Sequence, residues 1–241
     1  MIRKIITTPI NKINFKRVCK KYNLNLKYKN NNLAIIQEIF KHRVYSDYFP
    51  FYKTATILDI GAHKGYFSLF ASRNAGKNST IIALEPDLNN FKILKTNLHM
   101  NGITNVIPVN AGIYTYTGKQ KLYKGLQDEN YTIVGQDENP YDEVNVYSIK
   151  DLLLARALET IDFLKMDCEG AEYDAIYNTD EKILSLINVI SMEFHDVKKE
   201  GYTGLDLVHF LKDAGFSIVK FHHDPTHLDL NYGKIIAVRN S

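Results

Sequence analysis

The sequence predicts an α/β, Rossmann-like fold: a mostly parallel seven-stranded sheet closed by an antiparallel terminal hairpin. Three observations carry this. From residue 56 onward short apolar runs alternate with amphipathic stretches, the pattern of a parallel sheet covered by helices on both faces. A turn with two glycines, Gly61-Ala-His-Lys-Gly65, separates the first apolar run from the first amphipathic stretch. The last two apolar runs, Phe216–Phe221 and Lys234–Arg239, leave no room between them for a crossover helix. A parallel connection needs that helix, so the last strand enters antiparallel.

The elements follow in order. Thr56-Ile-Leu-Asp-Ile60 reads as the first strand and Tyr66 to Asn74 as the helix after the turn. Thr80-Ile-Ile-Ala-Leu-Glu85 is the second strand. Asp87 suits the N-cap of the next helix, whose Phe91, Leu94 and Leu98 share a face and which Gly102 ends. Asn105–Val109 is a third strand, and Pro108 assigns it to an edge or a strand end. Alternation around Lys119–Lys124 and Val144–Tyr147 predicts a β-hairpin insertion around 112–147 with a polar, specificity-bearing loop. Ile161–Asp167 and Ile187–Phe194 are the fourth and fifth strands. Leu207, Phe210, Leu211 and Ala214 then mark a helix face ended by Gly215.

With 241 residues, 45% of them hydrophobic, the chain can bury a substantial core in one principal domain. Cys19 and Cys168 stand too far apart for a disulfide framework or a thiolate zinc site, so a reducing, cytoplasmic setting is expected. The apolar stretch at the start is too short for a signal-peptide core, and no transmembrane segment is expected. Charge divides unevenly. Residues 1–50 carry eleven Lys/Arg against Glu38 and Asp47, or +9, while the rest of the chain carries −6 within a total of +3. The expected organisation is a basic N-terminal leader with an entering helix over 1–50 and the principal domain over 51–241. A solvated leader is one reading of the basic stretch, and a grip on RNA phosphates, a membrane surface or an acidic partner is the other.

A mostly parallel sheet closed by a terminal hairpin is the arrangement of methyltransferases dependent on S-adenosylmethionine (SAM), whereas nicotinamide-binding domains keep the sheet parallel. SAM is a cationic amino acid joined to a nucleoside, and it needs close backbone approach rather than a phosphate cradle. Gly61 and Gly65 permit that approach, and Asp59 is positioned to orient the amino-acid part. Glu85, at the end of the next strand, is positioned to accept hydrogen bonds from both ribose hydroxyls.

Four strings are then specific. Asp59-Ile-Gly-Ala-His-Lys-Gly-Tyr-Phe-Ser68, Ala83-Leu-Glu-Pro-Asp87, Val146-Tyr-Ser-Ile-Lys-Asp-Leu-Leu153 and above all Leu164-Lys-Met-Asp-Cys-Glu-Gly-Ala-Glu172 resemble the FkbM family of SAM-dependent methyltransferases, in order, over roughly Ile35 to Val238. Glu38-Ile-Phe40 and Tyr45 resemble the segment that leads into the family's domain. His63 departs from the pattern, which commonly has asparagine there. The resemblance implies SAM as cofactor and O-methylation of hydroxyls on sugars, lipids or polyketide-type acceptors. The cofactor-binding set expected from the turns and the resemblance is Asp59, Gly61, His63, Gly65, Phe67, Glu85, Pro86 and Asn110.

An alcohol is a poor nucleophile until its proton leaves, so a carboxylate or imidazole beside the acceptor oxygen is useful. If the fourth strand runs on, Lys165, Asp167 and Glu169 share a face at its carboxyl end, where ligands of open α/β sheets bind. Asp167 leads as general base, with Glu169 and His195 behind it and Lys165 as the charge that neutralises Asp167. Asp167 with Glu193-Phe-His195-Asp196 offers oxygen and nitrogen ligands, as in O-methyltransferases that use magnesium, but no spacing compels this and no metal is expected. His222, His223 and His227 read as a solvent-facing polar turn. Two alternatives stay open: an RNA methyltransferase that uses the basic leader, and a non-catalytic SAM- or glycan-binding module.

Overall fold

The structure is a computed structural model that describes residues 9–27, 32–124, 131–132, 140–196, 199–224 and 232–240. Helix α1 (Pro9–Lys21) and helix α2 (Leu33–Gln37), which runs on into a π-helical turn at Glu38–His42, precede the sheet. The main sheet comprises β1 (Thr56–Ile60), β2 (Thr80–Leu84), β3 (Val106–Val109), β8 (Phe163–Met166), β9 (Val189–His195), β10 (Phe216–Asp224) and β11 (Tyr232–Arg239). Their order is β10-β11-β9-β8-β1-β2-β3. All neighbours from β3 to β9 run parallel, and β11 pairs antiparallel with both β9 and β10. The fold class expected from the sequence is the one observed.

The parallel strands β1, β2 and β8 are buried on both faces, as continuous apolar strands under two helical layers must be. Helix α3 (Tyr66–Asn74) follows β1, and helix α4 (Leu88–Met100) follows β2, with Asp87 accepting the amide of Asn90 as its N-cap. β3 lies at the edge, where the missing amide of Pro108 costs no inner ladder bond. The insertion is a second sheet of order β4-β7-β5-β6, with β4 at Gly112–Ile113, β5 at Gly118–Lys124, β6 at Tyr131–Thr132 and β7 at Tyr141–Tyr147. Residues 125–130 and 133–139 of the predicted loop, and His227, lie outside the described residues. Helices α5 (Ile149–Ala155), α6 (Glu172–Tyr177), α7 (Glu181–Leu184) and α8 (Gly204–Asp213) complete the chain. Among the described residues no helix is long and apolar enough to cross a membrane.

Two cores flank the sheet. One gathers Leu58, Ile82, Leu164, Ile190 and Phe194 beneath α5, α6 and α8. The other gathers Phe15, Cys19 and Leu24 from the leader with Ile36 and Phe40, then Phe49, Phe67, Phe70 and Phe163. Its aromatic rings meet largely edge to face, with Phe49 touching Phe51, Phe67, Phe70 and Phe163. Residues of 15–24 and 36–49 therefore share a core with the sheet, while Lys12, Lys16, Arg17, Lys20 and Lys21 stay on the exposed side of α1.

Candidate active site

A cavity of about 270 Å³ opens at the carboxyl ends of β1, β2 and β8. Its wall is built from Gly61, Ala62 and His63 after β1, Glu85 and Pro86 after β2, and Lys165, Asp167, Cys168 and Glu169 at the end of β8. Glu193 of β9 closes one side, and Ile35, Glu38, Ile39 and Tyr45 close another. The cavity lies where ligands of open α/β sheets bind, at the point where the strand order reverses between β1 and β8.

The first half of the wall is mostly backbone. Gly61 has φ +71°, and a Cβ there would stand 1.7 Å from the carbonyl oxygen of Asp167. Only glycine permits both the conformation and the contact. Beside it, Glu85 is buried and accepts the His63 amide at 2.7 Å through Oε2 and the Asp87 amide at 2.9 Å through Oε1. Each carboxylate oxygen has two lone pairs, so each keeps one for a ligand hydroxyl. Burial pushes the Glu85 carboxyl up to about 7, although the two amides pull it down. A glycine cradle beside a carboxylate that can take two hydroxyls fits the nucleoside end of SAM.

The second half is charged. Lys165 is almost fully buried and donates to the carbonyls of Gly61 at 2.8 Å and Ile60 at 3.2 Å, with Asp59 at 3.4 Å and Asp167 at 4.0 Å. Burial alone would lower its pKa, but Asp59 and Asp167 outweigh burial and raise it. Tyr45 donates its hydroxyl to Asp167 Oδ2 at 2.9 Å, and Lys165 and Lys234 lie over its ring at 5.4 and 5.0 Å. Burial opposes ionisation of Asp167, yet Lys165, His195 and the Tyr45 bond together hold its pKa below the ordinary carboxylate range. Asp167 is therefore ionised and a weak base.

Glu169 differs. β8 ends at Met166, and Glu169 sits in a turn at φ +55°, not on the strand face shared with Lys165 that the sequence suggested. The turn still brings its side chain to the cavity. Burial pushes its carboxyl up to about 7, and repulsion from Asp167, Glu172 and Glu193 adds to burial while His195 opposes it. Glu172, fully buried at the start of α6, accepts the amides of Cys168 and Gly170 and so fixes that turn. The Thr132 hydroxyl donates to the Glu169 carbonyl at 2.5 Å, joining β6 to the same turn.

His195 stands behind this edge. Its Nδ1 lies 3.3 Å from Glu172, and its Nε2 lies 3.7 Å from both Glu169 and Glu193. Burial would lower its pKa, but Glu172 first, then Asp167 and Glu169, raise it to about 10. At neutral pH His195 is an imidazolium with no free pair for a substrate proton.

Of the residues expected from the sequence, Gly61, His63, Phe67, Glu85, Pro86, Lys165, Asp167 and Glu169 line the cavity. Asp59, Gly65, Asn110 and His195 stand outside its wall. Asp59 is fully buried and takes the Ser68 hydroxyl at 2.6 Å, so it anchors Lys165 from behind. Gly65 packs on Leu94, and Asn110 braces the Glu85–Pro86 turn by donating to both carbonyls. Phe67 stacks with Phe163 and is as much a core residue as a wall residue. Tyr45, absent from the expected site set, and Glu193, read from the sequence only as a possible metal ligand, are central to the charged half. Only the resemblance pointed toward Tyr45, because no local pattern signals a tyrosine that reaches 122 residues along the chain.

A family model described as Methyltransferase FkbM domain matches residues 59–218. Methyltransferase 1 of Beauveria bassiana is 28% identical over 229 residues, which cover 86% of this chain and 89% of that protein. Methyltransferase sdnD of Sordaria araneosa is 26% identical over 220 residues, covering 77% and 82%. Among solved structures, M. capricolum TrmK in complex with S-adenosyl-homocysteine superposes with a TM-score of 0.52 at 13% identity, covering 84% of this chain and 69% of that one. That likeness is one of fold.

Proposed function

The chain belongs to the FkbM methyltransferase family, and from that premise we propose that it transfers the methyl of SAM to a hydroxyl oxygen of a sugar, lipid or polyketide-like small acceptor. One observation carries the reading: the glycine cradle with Glu85 and the carboxylates Asp167 and Glu169 line a single cavity. The backbone at Gly61 and the Glu85 carboxylate would hold the cofactor, whose bound form supplies an electrophilic methyl on a sulfonium.

The chain's own residues do the rest. Glu169, with a pKa of about 7, is matched to taking the hydroxyl proton near neutral pH, because a base works best when its pKa lies near the working pH. Glu169 would take the proton of the acceptor hydroxyl as that oxygen accepts the methyl, so that the freed electron pair is available for the new bond. Asp167, held by Tyr45 and Lys165, orients the acceptor rather than taking its proton. Lys165 ties this carboxylate to the carbonyl of Gly61, so the charged half keeps register with the cofactor cradle. Positioning of this kind contributes heavily to methyl transfer, which demands an in-line approach.

The test is incubation of the protein with isotopically labelled SAM and fractionated glycans, lipids and RNA from its host, read by mass spectrometry. Label on a hydroxyl-bearing small molecule that requires Glu169 is the expected result. Label on RNA alone would replace this reading with a nucleic-acid one.

A further inference from the structure

Around His195 the carboxylates are denser than a proton-transfer site requires. Asp167 directly follows β8, while Glu193 and His195 belong to β9, which pairs parallel with β8. One ligand atom from each of these three side chains lies within 4.8 Å of the other two. Ligand atoms of a six-coordinate divalent ion at about 2.1 Å stand about 4.2 Å apart when opposite and about 3.0 Å when adjacent, so the three side chains close in on the ion as it binds. All three side chains are neither fully buried nor fully exposed, and Asp167 and Glu193 face the neighbouring space.

A second observation does not depend on this cluster. His195 turns Nδ1 toward Glu172, a fully buried carboxylate that two backbone amides hold in place. That leaves Nε2 facing Glu193 and Glu169, each at 3.7 Å. A carboxylate that holds one imidazole nitrogen while the other faces the ion is the usual support of a metal-bound histidine. The lysines do not fill the gap. Lys234 meets Glu193 through Oε2, whereas Oε1 faces His195, and Lys165 and Tyr45 both meet Asp167 through Oδ2. With Asp59, Glu169 and Glu172 also nearby, negative charge exceeds that of the two lysines even when His195 is protonated.

We propose that Asp167, Glu193 and His195 form a site for a hard divalent cation of the Mn²⁺ class, set beside the acceptor half of the cavity. The ion takes the place of the Nε2 proton of His195, which leaves to solvent on binding. Two carboxylates favour Mg²⁺, Ca²⁺ or Mn²⁺, and the imidazole ligand moves the preference from Mg²⁺ and Ca²⁺ toward Mn²⁺. The absence of a thiolate ligand removes the usual preference of a structural zinc site. Three protein ligands leave positions for water or an acceptor oxygen, whose proton the ion makes easier to remove. That role rests on the reading of the cavity as a methyl-transfer site, but the binding of the ion does not.

The test uses the whole protein with Mn²⁺ alone, without cofactor or acceptor. Electron paramagnetic resonance of the free ion gives the affinity, and pulsed measurements report any nitrogen bound to manganese. The expected result is one saturable site with an imidazole nitrogen signal. His195→Gln should abolish that signal, and Glu193→Gln should weaken binding at least about tenfold. Glu143→Gln, which alters an exposed carboxylate, should change neither. Thermal melts by circular dichroism identify variants that remain folded, and only those are compared. Absence of saturable binding, a site without the nitrogen signal, or binding unchanged in folded His195→Gln would each overturn the proposal. Calorimetry with S-adenosylhomocysteine (SAH) on the same preparation separates that failure from a failure of the cofactor assignment.

Discussion

The two halves of the cavity solve different problems with different materials. At the ends of β1 and β2 the wall is backbone plus one carboxylate, and its shape is fixed by what will not fit: a methyl at Gly61 would collide with the Asp167 carbonyl. At the ends of β8 and β9 the wall is ionised side chains, and each is held by the others: Tyr45 and Lys165 on Asp167, Glu172 on His195, Lys234 on Glu193. The lesson is that the first half should respond to substitution by steric exclusion, and the second by shifts in charge. Lys165 belongs to both, since its ammonium touches the Gly61 carbonyl and lies between Asp59 and Asp167.

The largest expected effect breaks the charged half. Glu169→Gln should lower single-turnover methylation by about 10²–10⁴ and remove the limb of the pH profile centred near 7, while SAH affinity stays within a few-fold. Asp167→Asn sharpens the point: with the repelling charge gone, the Glu169 pKa falls and the limb moves to lower pH. A limb that stays put in Asp167→Asn would disconnect the two carboxylates.

Next comes the steric half. Gly61→Ala should cost at least about 3 kcal/mol of stability, by urea unfolding, or else abolish SAH binding in a protein that still folds. A folded variant with ordinary affinity would show that the approach of Gly61 to Asp167 is not a constraint.

A smaller effect follows from Glu85. Its carboxyl titrates at about 7 in the free protein, and ribose hydroxyls donated to the carboxylate lower that value in the complex. The protonated form therefore binds less well. SAH affinity should rise with pH through 7 and fall toward tenfold per unit below it, and calorimetry of Glu85→Gln should show weaker binding without this slope.

The smallest effect concerns the leader. Replacing Lys12, Lys16, Arg17, Lys20 and Lys21 by glutamine touches only the exposed side of α1 and should leave SAH affinity unchanged within about twofold. Phe15→Ala, by contrast, opens the core that α1 shares with Phe40 and Phe70 and should cost about 3–5 kcal/mol. The two variants separate the charge of the leader from its packing.

The same contrast explains what the sequence made legible. Apolar runs and glycine turns are local signals, and they located β1, β2, the Gly61 turn, Glu85 and the antiparallel end of the sheet. The edge position of β3 was readable from Pro108. Contacts that span the chain left no local trace. Tyr45 reaches Asp167 from the segment before β1, and Lys234 reaches Glu193 because β11 folds back beside β9. The strand alternation that put Lys165 and Glu169 on one face failed beyond Met166, where the chain turns through left-handed backbone at Glu169 and Gly170. Asp59 looked like a ligand because it ends a strand before glycine, yet the packing of Ser68 and Lys165 buries it behind the wall.

The central claim is that the backbone half of this cavity holds the methyl donor, and calorimetric titration with SAH, run beside NAD, tests it most directly. The account predicts one saturable site of about micromolar affinity for SAH. It also predicts at least several-fold weakening in Glu85→Ala, and no heat with NAD. Heat with NAD and none with SAM or SAH would contradict it.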